Sequence, residues 1–150
     1  MYKYHNEIYS IVRGGEKYPD INGIVTFDRT VRGVLVTAEI YGLPSQLEKS
    51  GFGVFGFHIH SGNECPSGQT DNSGTHFNPE NKPHPYHAGD LPPLFSNRGY
   101  AYMQTVSDRF NLNDIVGKTV IIHSGADDFT TQPSGNSGEK IACGIIMRKS

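Results

Sequence analysis

Apolar residues occur along the chain in short runs that turn-forming residues separate. The runs cover residues 8–13, 22–27, 34–41, 52–60, 99–106, 118–123 and 141–147. They are rich in β-branched and aromatic side chains, which favour strands. Residues 110–116 predict one short helical turn. Short strands at such regular spacing are typical of an antiparallel β-sandwich or β-barrel, so we predict an all-β fold.

Two long polar segments interrupt this pattern. Residues 61–97 are rich in Gly, Pro, Asn and His and have almost no apolar periodicity, and residues 124–140 form a second polar segment. A loop as long as the first is unusual in a compact domain, because it buries too little apolar surface to hold one conformation. Bound metal ions or a disulfide bond would supply the missing support.

Length and charge limit the classes of protein to which the chain can belong. With 150 residues we expect a single domain over 1–150. The 13 Lys and Arg against 15 Asp and Glu give no basic excess that would indicate a nucleic-acid partner. No apolar stretch is long enough to span a membrane, and the first residues lack an apolar leader. We expect a cytoplasmic protein; the alternative is an extracellular or periplasmic mature form whose signal has been removed.

Histidines are the most informative residues, since six of the seven lie between residues 58 and 123. His58 and His60 end a predicted strand, so they point to the same face about 7 Å apart and can bind one metal ion. His84, His87 and Asp90 follow one another at intervals of three residues. Imidazoles with one carboxylate are ligands that tetrahedral zinc accepts.

The other candidates are less specific when each is taken alone. His76 lies in the same long loop, and His123 closes an apolar run at its exposed end, where a lone histidine is more simply explained as a surface side chain. We expect His5 to lie at the surface. The gathering of six histidines and one aspartate around two loops nevertheless favours a metal site. Cys65 and Cys143 are compatible with free thiols or with a disulfide bond.

Taken together, these motifs resemble those of the copper/zinc superoxide dismutases over nearly the whole chain. The resemblance lies in residues 56–60, 74–79, 87–91, 120–123 with 126–128, and 135–144. It implies an eight-stranded Greek-key β-barrel, which is an immunoglobulin-like flattened sandwich with two long functional loops. It also implies superoxide as the substrate and a homodimer, with a copper chaperone as a further candidate partner.

The resemblance implies a role for each motif residue. The implied copper ligands are His58, His60, His76 and His123. The implied zinc ligands are His76, His84, His87 and Asp90, so that His76 would bridge copper and zinc. Asp127 would hydrogen-bond one ligand of each metal, and Cys65 and Cys143 would form a disulfide bond. His76 would carry a proton in the reaction, and Lys140 would guide the superoxide anion.

The chain departs from the family pattern in its first loop and at one charged residue. The spacing from His84 to His87 is shorter than in common eukaryotic members, and the stretch from Cys65 to His76 is longer. Lys140 stands where the family has an arginine. Lysine keeps the positive charge but replaces a planar fork with a flexible point charge, so we expect steering of the anion to persist with less precise docking.

Three other classes of protein share part of the pattern. A non-catalytic copper-binding relative would have lost a copper ligand, and this chain has lost none. A cupin would explain the spacing of His58, His60 and Glu64, but residues 120–128 do not supply the second half of its motif. A structural zinc protein would leave His58, His60 and His123 unexplained. We therefore predict superoxide dismutation at a copper/zinc centre.

Overall fold

The computed structural model describes residues 7–150. Two expectations, a surface position for His5 and the lack of an apolar leader, fall on the first six residues and so lie outside the described residues. Residues 7–150 form nine strands and one short helix. These are β1 Ile8–Gly14, β2 Asn22–Thr30, β3 Gly33–Tyr41, β4 Gly53–Phe55, β5 Phe57–His60, β6 Leu94–Ser96, β7 Ala101–Ser107, α1 Leu112–Ile115, β8 Thr119–His123 and β9 Lys140–Arg148.

Seven of these strands form one antiparallel sheet, in the order β5-β8-β9-β1-β2-β3-β7, and β4 pairs with β6 in a second, two-stranded sheet. The larger sheet is curled, as the predicted β-barrel requires. The all-β prediction is confirmed. The seven predicted runs become nine strands because the run 52–60 divides into β4 and β5, and because β6 arises within a segment predicted as loop.

Gly56 is the point at which that run divides. Its amide donates to Gly125 O at 2.8 Å and its carbonyl accepts from the His123 amide at 2.8 Å. Gly56 therefore does not continue the pairing of β4 with β6. A Cβ atom at this position would lie 2.7 Å from the Cβ of Ser137, closer than real Cβ contacts allow. The chain at Gly56 therefore passes so close to Ser137 of the second loop that only glycine fits.

The core explains which face of each strand is apolar. Along β3 every second residue from Val34 to Ile40 is buried, the alternation of a strand with one face on the core. By contrast, β5 and β8 are buried on both faces. Phe57 and Ile59 of β5 belong to the hydrophobic core, as predicted, so His58 and His60 point to the side that the loops cover.

The long first loop is held against β5 by backbone hydrogen bonds. Ile59 donates to Gly89 O and accepts from Phe77 N, both at 2.8 Å. The predicted disulfide bond between Cys65 and Cys143 is present and ties the same loop to β9. The predicted helical turn is α1. No helix in residues 7–150 is long and apolar enough to cross a membrane.

Reduction of this disulfide bond should lower the free energy of unfolding. The bond joins residues 78 positions apart, and closing a loop of that length contributes ~4–5 kcal/mol in the chain-entropy model. Urea unfolding with and without reductant measures the change. The variant Cys65→Ala/Cys143→Ala is the control, because reductant should not alter its stability. An unchanged unfolding midpoint on reduction of the parent would contradict this expectation.

Candidate metal centre

Paired strands carry three of the six histidines. His58 and His60 lie on β5, and His123 ends β8, which pairs with β5. The three imidazoles have an exposed fraction of at most 4%. The sequence suggested an exposed strand end for His123, but the second loop covers that end, and His123 Nδ1 lies 3.3 Å from Gly138 O. The ends of β5 and β8 thus carry these three histidines, and the loops cover them to form one buried site.

The first loop supplies the remaining ligands from the other side. Isolated β-bridges place His76 opposite His60 and Asp90 opposite His58. Backbone pairing with β5 therefore brings both residues to the site. His84 and His87 lie between them in sequence and are also buried, at 2% and 6% exposed.

The side chains form two groups with converging ligand atoms. Within each group these atoms lie within 4.8 Å of one another. We call His58, His60, His76 and His123 the four-imidazole set. We call His76, His84, His87 and Asp90 the mixed set. The two sets share His76, as the sequence predicts for a bridging residue.

In the four-imidazole set, the outer ring nitrogens determine which atoms face inward. His60 Nδ1 lies 2.8 Å from the carbonyl oxygen of Gly74. A carbonyl only accepts, so Nδ1 carries the proton and Nε2 keeps its lone pair. His123 is held in the same way through Gly138. The two Nε2 atoms then face each other at 3.3 Å, an arrangement that a shared metal ion satisfies.

In the mixed set, the carboxylate of Asp90 is the common contact. Its Oδ1 lies 2.8 Å from His76 Nδ1, and its Oδ2 lies 3.1 Å from His84 Nδ1 and 3.2 Å from His87 Nδ1. The Nδ1 atoms of His76 and His87 are themselves 3.2 Å apart. Three imidazole nitrogens and one carboxylate oxygen thus converge on one point, which is the donor set of a tetrahedral zinc site.

Three buried ring nitrogens without hydrogen-bond partners indicate whether metal ions fit the two sets. His58 Nδ1, His76 Nε2 and His84 Nδ1 are buried and make no hydrogen bond within the described residues, although His84 Nδ1 lies 3.1 Å from Asp90 Oδ2. Leaving a buried polar atom unpaired costs about 1–3 kcal/mol, so three at one place need a common explanation. Each is a ring nitrogen that faces one of the two sets. Copper and zinc ions would give all three a partner, and these histidine clusters could bind both metals.

Asp127 connects the two sets through one buried carboxylate. Its Oδ2 accepts from His58 Nε2 and its Oδ1 from His84 Nε2, both at 2.8 Å. Because an ionised carboxylate only accepts, both Nε2 atoms carry protons and both Nδ1 atoms are left free for metal. Burial alone would raise the pKa of Asp127, but the hydrogen bonds from these histidines outweigh it and lower the pKa well below its usual range.

The same burial keeps the ligands in the protonation state that metals require. Burial lowers the pKa of His60 to about 2 and that of His123 to about 3, and it also lowers the pKa of His58 and His87. Burial opposes ionisation of Asp90, but its hydrogen bond with His76 prevails and lowers its pKa. Neutral imidazoles and an ionised carboxylate are the ligand forms, so protons compete weakly with metal at neutral pH.

Sequence reasoning missed two residues that hold the mixed set in place. Gln132 of the second loop donates to His84 O at 2.8 Å and accepts from His84 N at 2.9 Å. Arg109 donates to the carbonyls of Pro85 and His87 at 2.8 and 3.2 Å. These partners are 48 and 22 residues from the histidines that they contact. The spacing of residues along the sequence does not indicate such contacts, because only the fold brings these residues together.

Lys140 lies at the cleft that leads to the site, beside His60, His76 and His123. Its Nζ donates to Asp71 Oδ2 and Ser73 Oγ, both at 2.7 Å. Asp71 and Ser73 belong to the longer segment after Cys65, and sequence reasoning did not identify them. The only advance signal was the length of that segment.

A β-barrel with two ligand sets that share one imidazole defines a binuclear metalloprotein. The family model for copper/zinc superoxide dismutase (SODC) matches residues 21–146. The chain is 36% identical over 132 residues to the Cu-Zn superoxide dismutase of Legionella pneumophila, covering 83% of this chain and 76% of that protein. It is 34% identical over 155 residues to the Cu-Zn superoxide dismutase of Schizosaccharomyces pombe, covering 91% and 94%. The chain belongs to the copper/zinc superoxide dismutase family, as its motifs predicted.

Replacing Asp127 with asparagine should weaken metal binding about 10–100-fold. An amide has one donor and one acceptor end, so it would force the wrong tautomer on either His58 or His84. Competition with a chelator measures the affinity for each metal. Asp128→Asn is the matched control, because Asp128 accepts from Thr130 and Thr131 of its own loop. Equal affinities for the two variants would contradict the role given to Asp127.

Proposed function

We propose that this chain is a superoxide dismutase, which converts two superoxide anions and two protons into O₂ and H₂O₂. In this proposal the four-imidazole set holds copper and the mixed set holds zinc. The observation that carries the proposal is the position of His76, whose two ring nitrogens face different sets. A bridging imidazole needs two metal ions, which a mononuclear structural site does not offer.

Ligand chemistry and access support this assignment of the metals. Imidazole suits copper in both of its oxidation states, and a carboxylate with imidazoles suits zinc. The cleft is lined by His60, His76 and His123, so three members of the four-imidazole set border the space from which an anion arrives. Of the mixed set, the shared His76 and His87 line it, whereas His84 and Asp90 do not. The reacting metal therefore belongs in the four-imidazole set.

The residues of the chain have distinct roles in the proposed reaction. Bound copper supplies alternating one-electron oxidation and reduction, whereas zinc keeps its oxidation state. His76 Nε2 is the nitrogen that can hold a proton and release it, because Nδ1 faces the mixed set. Asp127 keeps His58 in the tautomer that presents Nδ1. Lys140 supplies positive charge at the cleft of a chain whose net charge is −2.

We further propose that the chain acts as one domain and assembles as a homodimer. Three large apolar side chains, Ile11, Ile145 and Met147, are 37–41% exposed and border one groove together with Cys65 and Cys143. Apolar surface gathered beside a rigid disulfide supports a contact between copies. A copper chaperone as partner and a cytoplasmic location stay predictions from the sequence.

The proposed function is tested by metal analysis together with superoxide consumption. We expect about one copper and one zinc per chain and catalysed loss of superoxide. His123→Ala should remove one copper ligand and abolish most activity. Asp90→Ala should weaken zinc binding while the four copper imidazoles stay in place.

Two results would reject the proposal. A protein that binds both metals without consuming superoxide would be a metal-binding relative and not an enzyme. Loss of copper with retention of zinc in Asp90→Ala would show that the two metals were assigned to the wrong sets.

Lys140→Ala should lower the rate about tenfold, a change in the barrier of about 1.4 kcal/mol. It should also weaken the dependence of the rate on ionic strength, because salt screens charge over ~8–10 Å. Lys140→Arg should match or exceed the parent, since arginine keeps the charge and adds a planar fork. Rates at several salt concentrations measure the effect. Equal rates and equal salt slopes for the parent and Lys140→Ala would refute the steering role.

A further inference from the structure

The ammonium of Lys140 has no hydrogen left for an anion. It has three N–H groups, and it donates to Asp71 Oδ2 at 2.7 Å, Ser73 Oγ at 2.7 Å and Gly74 O at 3.1 Å. An incoming anion can gain a direct hydrogen bond only if one of these acceptors gives way. The acceptors of Lys140 therefore influence how the anion is captured.

Asp71 is the charged member of a closed network. Its Oδ1 accepts from Ser73 N at 3.0 Å and from Ser73 Oγ at 2.6 Å, while its Oδ2 accepts from Lys140. Burial alone would raise the pKa of Asp71, but the hydrogen bonds from Lys140 and Ser73 lower it to about 2. The carboxylate is thus ionised at neutral pH and offsets the charge of the ammonium.

The network reaches the proposed copper ligands through one carbonyl. Gly74 O accepts from Lys140 and also from His60 Nδ1, at 3.1 and 2.8 Å. Asp71 and Lys140 line the same cleft as His60. The side chains of Asp71 and Lys140 are 43% and 22% exposed, and ion pairs open to water are weak. An anion in the cleft can therefore compete with Asp71 for the ammonium.

We propose that Asp71 is a positioning residue, which holds Lys140 at the mouth of the cleft and which the substrate anion must displace. This inference rests on the proposed function, because it concerns capture of the anion at the same site. Asp71 would then set both the affinity for the anion and its dependence on salt. Removing the charge of Asp71 should strengthen anion capture, and the gain should require Lys140.

The experiment is a double-mutant cycle on the copper- and zinc-loaded protein. The four proteins are the parent, Asp71→Asn, Lys140→Met and the double variant. Azide, a small anion that ligates Cu(II), is titrated by its absorption at ~0.01 M and ~0.15 M salt, where the Debye length is ~30 and ~8 Å. Superoxide rates are measured in parallel. If Lys140→Met does not fold, Lys140→Gln takes its place in the cycle.

Glu64→Gln is the matched control. Glu64 lies in the same long loop and accepts from Asn72 at 2.9 Å, and the substitution removes the same charge without touching Lys140. Glu64→Gln should change the azide affinity little, both in the parent and in Lys140→Met.

We expect Asp71→Asn to bind azide about threefold more tightly at low salt, in line with one unit charge close to the site. This gain should shrink at high salt and disappear when Lys140 is methionine. Three results would overturn the proposal: a gain of the same size in the Lys140→Met background, a gain no larger than that of Glu64→Gln, or weaker azide binding by Asp71→Asn. The first two would indicate a general charge effect, and the third a structural role.

The two proposals fail in different ways. If azide binding shows the coupling but superoxide is not consumed, the proposed function is wrong, and the role of Asp71 stands for anion binding only. If superoxide is consumed and the cycle shows no coupling, the role of Asp71 is wrong and the function stands. Failure to bind copper would reject both.

Discussion

The imidazole of His76 is the group on which the centre depends. Its Nδ1 lies 2.8 Å from Asp90 in the mixed set, and its Nε2 is buried without a hydrogen-bond partner toward the four-imidazole set. A ring that faces two sites at once fixes their separation, because the two nitrogens belong to one rigid plane. The first loop must then place His76 accurately, and it does so by pairing with His60 at the end of β5.

The loops acquire order from polar contacts, since they bury little apolar surface. Asp127 in the second loop joins His58 of the barrel to His84 of the first loop. Gln132 adds a two-point contact with His84, and the bond between Cys65 and Cys143 ties the first loop to β9. The contacts of Asp127 and Gln132 position ligands and also join two segments, so metal binding and loop order are coupled.

Charge at the cleft is balanced more closely than the sequence suggests. The sequence predicted that Lys140 guides the anion, and the structure shows that its ammonium is held by Asp71 and Ser73. The opposite charge of Asp71 therefore reduces the positive field of Lys140 at the mouth, where Glu139 also lines the cleft. Such a pair fixes the position of the cation and weakens its attraction for the anion. The neighbours of Lys140 therefore matter for anion capture as much as Lys140 itself.

The sequence by itself determined the all-β class, the ligand types and the inward face of β5, because alternation and residue chemistry are local properties. It did not reveal the division at Gly56, which reflects a close approach to Ser137. The burial of His123 and the partners of Lys140 were also decided only by the tertiary structure. Asp71 is 69 residues from Lys140, and contacts across such separations arise only when the sheet and the disulfide bond bring distant segments together.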